Sequence, residues 1–217
     1  MIGRLTQSQL LEHTSPAWLL DSLAQPVAEL DTFRIADRVF LLSPRGGGTT
    51  GPHPLGRVTQ FALDSQHVYV STAERLEILV YRRDGSLARI LRGPPQDLRI
   101  DDALLDRYLA GGAPSSDSMI LARIRQAELP LPAGLPAIAG IELDPAGNIW
   151  VKRFKSPWEH AERWGVFAAD GVFLGHVEMP LRFTVHEIGE DYVLGVTRDE
   201  LGVERVQVHA LRRTAPS

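Results

Sequence analysis

The chemistry available to this chain is concentrated in Glu74, Arg75, Arg153, Trp158, His160, Arg198, Asp199 and Glu200. Arg153 and Arg198 each stand at the loop end of an apolar run, and Arg75 lies in the short Ala73-Glu74-Arg75 loop. A guanidinium forks onto a carboxylate or phosphate through two parallel hydrogen bonds, so these arginines point to a small anionic ligand. Trp158 sits in Lys155-Ser156-Pro157-Trp158-Glu159-His160, a loop rather than a strand. A large aromatic in a loop is a binding candidate, and His160 stands beside it. Glu74, Asp199 and Glu200 are the neighbouring acids, which either complete a site or neutralise it.

Other chemistries lack their residues. There is no cysteine, so thiolate nucleophiles, zinc ribbons, iron–sulfur sites and disulfide frameworks are excluded. The histidines are scattered, with no His-x-x-x-His or His-Glu-x-x-His, so a helical zinc site is absent. Metal ligands drawn from successive repeats would escape local spacing, but neither a metal nor a cofactor is expected. Gly46-Gly47-Gly48 is followed by Thr49-Thr50-Gly51-Pro52, with no lysine and with a proline where a phosphate loop opens its helix. This stretch reads as a flexible loop. No Gly-x-Ser-x-Gly elbow occurs.

Composition closes further classes. The net charge of −4 offers no basic footprint for nucleic acid. No apolar run reaches the roughly 18 residues that a membrane helix needs. Met1-Ile2-Gly3-Arg4-Leu5-Thr6-Gln7 contains no apolar stretch of the secretory kind, so the chain as written reads as cytoplasmic, its compartment otherwise unknown.

The elements that must position these residues repeat. His67-Val68-Tyr69-Val70, Asn148-Ile149-Trp150-Val151 and Asp191-Tyr192-Val193-Leu194 each open an apolar strand with an aromatic in it. The second and third begin 43 residues apart, the spacing of four-stranded propeller blades, and the first and second 81 apart. Asp84-Gly85 and Asp170-Gly171 mark matching hairpin turns, and Asp144-Pro145-Ala146-Gly147 a second turn type. The recurring aromatics Tyr69, Tyr81, Trp150, Trp164, Phe167 and Tyr192 read mainly as packing between blades.

The reading is an all-β partial β-propeller of about three to four four-stranded antiparallel blades. It forms one domain over 1–217. An incomplete first blade covers 1–56, and blades follow at 57–92, 138–180 and, with three strands only, 181–213. Trp18-Leu19-Leu20, Val27-Ala28-Glu29-Leu30 and Val39-Phe40-Leu41-Leu42 read as parts of this incomplete first blade. The interval 93–137 reads as a two-helix insertion. Leu104, Leu105, Tyr108 and Leu109 share one helical face, with Asp101 as N-cap and Gly111 as stop. A second helix spans 116–128, with Ser116 as cap and Ile120, Leu121, Ile124 and Ala127 in phase.

Val68-Tyr69-Val70-Ser71 through Ile90, Gly147-Asn148-Ile149-Trp150-Val151, Trp164-Gly165-Val166-Phe167, and Gly195 through Glu204 together resemble the C-terminal half of bacterial six-bladed β-propellers of the TolB-like/NHL-like kind. The resemblance covers roughly residues 15 to 213. It implies the blade fold, and it implies export to the periplasm or cell surface for longer relatives. Those relatives carry leading blades and an export signal that this sequence lacks.

In a four-stranded meander the first and third turns share one side. The middle loops and the blade connections share the other. The latter side gathers Glu74 and Arg75, the 155–163 loop, the 198–203 loop, the insertion and the 46–54 loop. The functional expectation is a non-catalytic module that binds a small anionic ligand or a protein or peptide partner on that side. The alternatives are a metal-dependent propeller hydrolase or lyase, and a truncated fragment without independent function. Open blade edges also predict a homodimer, unless the alternating stretch Ile2-Gly3-Arg4-Leu5-Thr6-Gln7 supplies an outer strand.

Overall fold

The computed structural model describes residues 8–42, 47–110, 115–126, 129–180, 182–199 and 201–212. Fourteen strands form four antiparallel sheets among these residues, with two helices between the second and third. The first sheet contains β1 (Gln9–Leu20), β2 (Pro26–Leu42) and β3 (Gly48–Pro52). The second is the meander β4 (Gln60–Leu63), β5 (His67–Ser71), β6 (Glu77–Arg82) and β7 (Leu87–Arg92). Helices α1 (Asp102–Ala110) and α2 (Ser115–Arg125) follow. The third meander is β8 (Ile138–Leu143), β9 (Ile149–Arg153), β10 (Glu162–Phe167) and β11 (Phe173–Met179). The last has three strands: β12 (Phe183–Ile188), β13 (Tyr192–Arg198) and β14 (Glu204–Ala210). The architecture is therefore all-β, a partial propeller with a helical insertion.

The two long meanders are built alike. In each, an Asp-Gly turn joins the third and fourth strands, with Gly85 at φ 84° and Gly171 at φ 96°. Only glycine holds that conformation cheaply, and close packing adds a second demand. A Cβ on Gly85 would come within 2.4 Å of the Glu29 carbonyl, and one on Gly171 within 2.6 Å of Leu91 Cδ2. Each turn thus abuts the preceding sheet. A register shift follows at the same place in both, next to Tyr81 and next to Phe167.

Sheet faces supply most of the core. Phe33 of the first sheet meets Val68, Val70 and Tyr81 of the second. Tyr69, Ile78 and Val80 meet Ile141, Ile149, Val151 and Phe167 of the third. Trp150, Trp164 and Val166 meet Phe183, Ile188 and Val193 of the last. Successive strand residues point to opposite faces, so the second and third sheets are apolar on both.

The first sheet differs from its expected form. The stretches around Val27 and Val39 both lie in one 17-residue strand. Its far end passes beyond the blade and carries Val39 and Leu41 to a fourth cluster under the helices. Gly48–Pro52, expected as loop, is β3 and pairs with Arg38–Leu42. Pairing with an already extended strand overrides the low strand propensity of its glycines.

In the insertion, the Asp101 carboxylate accepts from Leu104 N at 2.8 Å and caps α1. Leu105, Tyr108, Leu121 and Ile124 are buried with Val39 and Leu55. Residues 2–7, Gly111 and Ala127 lie outside the described residues, as does Glu200. No helix among the described residues is long and apolar enough to cross a membrane.

Candidate functional site

Glu74 and Arg75 border a cleft of about 460 Å³ between the β5–β6 loop and the ends of the helical insertion. Arg57 closes one side, and Gln96–Arg99 with Ala133–Leu135 form the opposite wall. Backbone hydrogen bonds hold these walls. Leu135 N donates to the Leu98 carbonyl at 2.8 Å, and Ala137 N to the Ala73 carbonyl at 2.8 Å. Ala73 itself adopts φ 59°, a left-handed conformation that costs a non-glycine residue about 1–2 kcal/mol. It is fully buried, and its N–H donates to Ser71 Oγ at 3.2 Å. This turned residue directs Glu74 and Arg75 into the cleft.

Behind the cleft lies a buried ion network. Asp37 is 1% exposed. Its carboxylate accepts from Arg57 N at 3.0 Å and Arg57 Nε at 3.3 Å, and it pairs with Arg34. Burial works against this charge. The Arg57 backbone N–H, the nearby Arg34 charge and the Arg57 guanidinium outweigh it and hold Asp37 below the usual carboxylate range. Arg57 then reaches outward and donates to Glu74 Oε1 at 2.9 Å. His53 lies beside the network, with Nδ1 accepting from Leu55 N at 3.0 Å. Its Nε2 is sealed from solvent without a partner among the described residues, and burial lowers its pKa to about 4 against the opposing pull of Asp37. Gly56 separates the pair, since a Cβ there would lie 2.8 Å from the Cβ atoms of both Asp37 and His53.

The cations of the cleft are not equivalent. Arg57 is shared by Asp37 and Glu74, and Arg99 donates from Nη2 to Asp97 at 2.7 Å. That bond holds Asp97 down to about 2. Arg75 has no ion pair among the described residues. Gln96 Oε1 is buried without a hydrogen-bond partner there.

The remaining sequence candidates fall elsewhere. Arg198 and Asp199 border a second cleft of about 600 Å³ on the last sheet, with Arg182, Thr184 and His186. Arg198 is committed to Glu204 through Nε at 2.9 Å. Asp199 accepts from Leu201 N at 3.0 Å and Val203 N at 2.9 Å, closing the β13–β14 turn. Trp158 packs edge-on to Tyr108, with ring centroids 4.7 Å apart, and Arg107 lies 4.3 Å above its ring. Its aromatic surface joins the 154–161 loop to α1. His160 is exposed beside it. Arg153 ends β9 with a buried Nε and borders neither cleft; with burial, it helps to lower the pKa of His176. Glu74, Arg75 and Gln96 also border a third, smaller cleft of about 270 Å³ with Arg92, Gly93, Pro94 and Pro95.

Arg57, Gln96, Asp37 and His53 were missed in the sequence. Asp37 leaves one trace, an acid at the centre of the alternate positions Phe33, Ile35, Val39 and Leu41, which are otherwise apolar. Among the described residues, no three His, Asp or Glu side chains converge as a metal site would require. No family model matches the chain, and no curated protein matches it.

Proposed function

We propose that this protein is a non-catalytic binding module, of the TolB-like/NHL-like propeller kind, that takes a small anionic ligand in the cleft at Arg75. The observation that carries this reading is the Arg75 guanidinium, which has no ion pair among the described residues, in a cleft whose other cations are already matched with carboxylates. The volume suits a ligand of a few residues or a small metabolite. Among the described residues that line it, none forms a nucleophile–base pair. Titration with succinate, followed by amide chemical shifts, tests it. Shifts should centre on 73–76 and 96–99, and Arg75→Ala should weaken binding about tenfold or more. Unchanged binding in Arg75→Ala would overturn the assignment.

A second reading concerns a protein partner, and a specific observation favours it. Every internal sheet buries both faces, yet among the described residues nothing covers the outer faces at the two ends of the stack. Trp18 is 48% and Leu20 50% exposed at one end, and Val206 72% and Val208 64% at the other. The partner we propose is a second copy of the chain. Its first sheet would continue the stack on β12–β14 as each sheet within the chain continues the last.

A further inference from the structure

We infer that the ligand of the Arg75 cleft is a zwitterion, an amino acid or short peptide whose carboxylate meets Arg75 and whose ammonium meets Glu74 and Gln96. The inference rests on the cleft reading above and narrows its ligand.

Three features carry it. Glu74 and Arg75 are adjacent in sequence and border the same cleft, so one wall offers both signs of charge. Glu74 spends one oxygen on Arg57, 2.9 Å away, and its second oxygen has no partner among the described residues. Gln96 Oε1, on the facing wall, is a buried acceptor with no donor. A buried acceptor left unpaired costs about 1–3 kcal/mol, and turning the Gln96 amide out toward a ligand N–H removes that cost. A purely anionic ligand would satisfy Arg75 but would leave Gln96 bare and would sit against the Glu74 carboxylate. A purely cationic ligand would meet Arg75. A carboxylate and an ammonium on one molecule answer all three groups. Asp97 and Arg99 do not disturb this account, because they are paired with each other at 2.7 Å.

The test uses the full chain and three probes: alanylalanine, its N-acetyl form and its methyl ester. Binding is followed by calorimetry and by amide chemical shifts. Alanylalanine should bind about tenfold more tightly than either blocked form. Glu74→Gln keeps a hydrogen bond to Arg57 yet should erase the advantage over the N-acetyl form. Arg75→Ala should erase the advantage over the ester. If the N-acetyl form binds as tightly as alanylalanine and both depend on Arg75, the inference falls and the anionic reading stands. If the ester matches alanylalanine, or if neither these probes nor succinate bind through Arg75, both fall. Dispersed amide spectra of each variant establish that it is folded.

Discussion

The indole N–H of Trp150 donates to the Asp144 carboxylate at 2.9 Å. The same carboxylate holds the turn before β9, accepting from Asn148 N at 2.9 Å and Asn148 Nδ2 at 2.8 Å. The second sheet repeats the arrangement. Tyr69 donates its hydroxyl to Asp64 at 2.8 Å, and Asp64 accepts from Gln66 N and His67 N at 2.7 Å. Burial and the Asp64 bond push the Tyr69 hydroxyl up to about 12. In the last sheet Gly189 N donates to the Tyr192 carbonyl as Asp64 N does to His67, at 2.9 and 3.1 Å. There Gly189 replaces the acid and Leu194 the aromatic. The last sheet places its acid differently: Tyr192 donates its hydroxyl to Glu187 at 2.5 Å, across the same turn but on an exposed surface.

Asp144→Ala leaves the buried Trp150 N–H and the turn amide without their acceptor. The variant should lose about 3 kcal/mol of stability. Asp84→Ala, in an exposed turn, should lose less than about 1 kcal/mol. Urea unfolding of the two variants checks the contrast, and equal losses would count against a holding role for Asp144.

Removing Asp37 takes away the buried carboxylate that Arg57 and Arg34 share and leaves them, among the described residues, only Glu74 and Glu12, each 2.9 Å away at the surface. Asp37→Ala should cost about 3–5 kcal/mol, whereas the double change Asp37→Leu with Arg57→Met should recover much of that loss. Chemical denaturation of the single and double variants gives the comparison. A double variant weaker than the sum of its parts would show that the network stabilises beyond charge balance.

His53 makes stability depend on pH in a defined window. Its folded pKa of about 4 lies below the ordinary 6.5, so the unfolded chain takes up the proton first as pH falls. The stabilisation is complete above about 6.5 and is lost as pH falls toward 4, by about 3 kcal/mol. Asp37, held below 3.8, gives up its own contribution only at still lower pH. His53→Asn retains an acceptor for Leu55 N and should flatten the urea midpoint between these values. A midpoint that remains as steep in His53→Asn would assign the dependence to another group.

The exposed end faces predict association at micromolar concentration. Val206 and Val208 pair with Val196 and Leu194, so one apolar strip runs across the outer side of the last sheet. Val206→Lys with Val208→Lys should yield monomers, because a charged strip cannot be covered by an apolar face. Light scattering of both proteins reads the outcome. A wild-type monomer would remove the second-copy reading.

Local pattern was enough to determine the repeating part of this molecule. Strand alternation around Val68–Ser71 and Ile149–Arg153, the Asp-Gly turns at Gly85 and Gly171 and the helical face of Leu105 and Tyr108 all depend on neighbours a few residues away. Such short-range regularities survive in a one-dimensional string. The candidate residues Glu74 and Arg75 were legible for the same reason, as a charged loop between two apolar strands. Their companions were not. Arg57 meets Asp37 across 20 residues, and Gln96 and Gly134 reach the cleft only because the insertion leaves and returns at its rim. The sequence also grouped Arg198 with Arg75, and the tertiary structure assigns them to different clefts. Which charges are matched, and which loops share a cleft, depends on how the sheets stack and how far β2 overshoots its blade. Those distances arise from packing among residues remote in sequence, so only the folded chain could decide them.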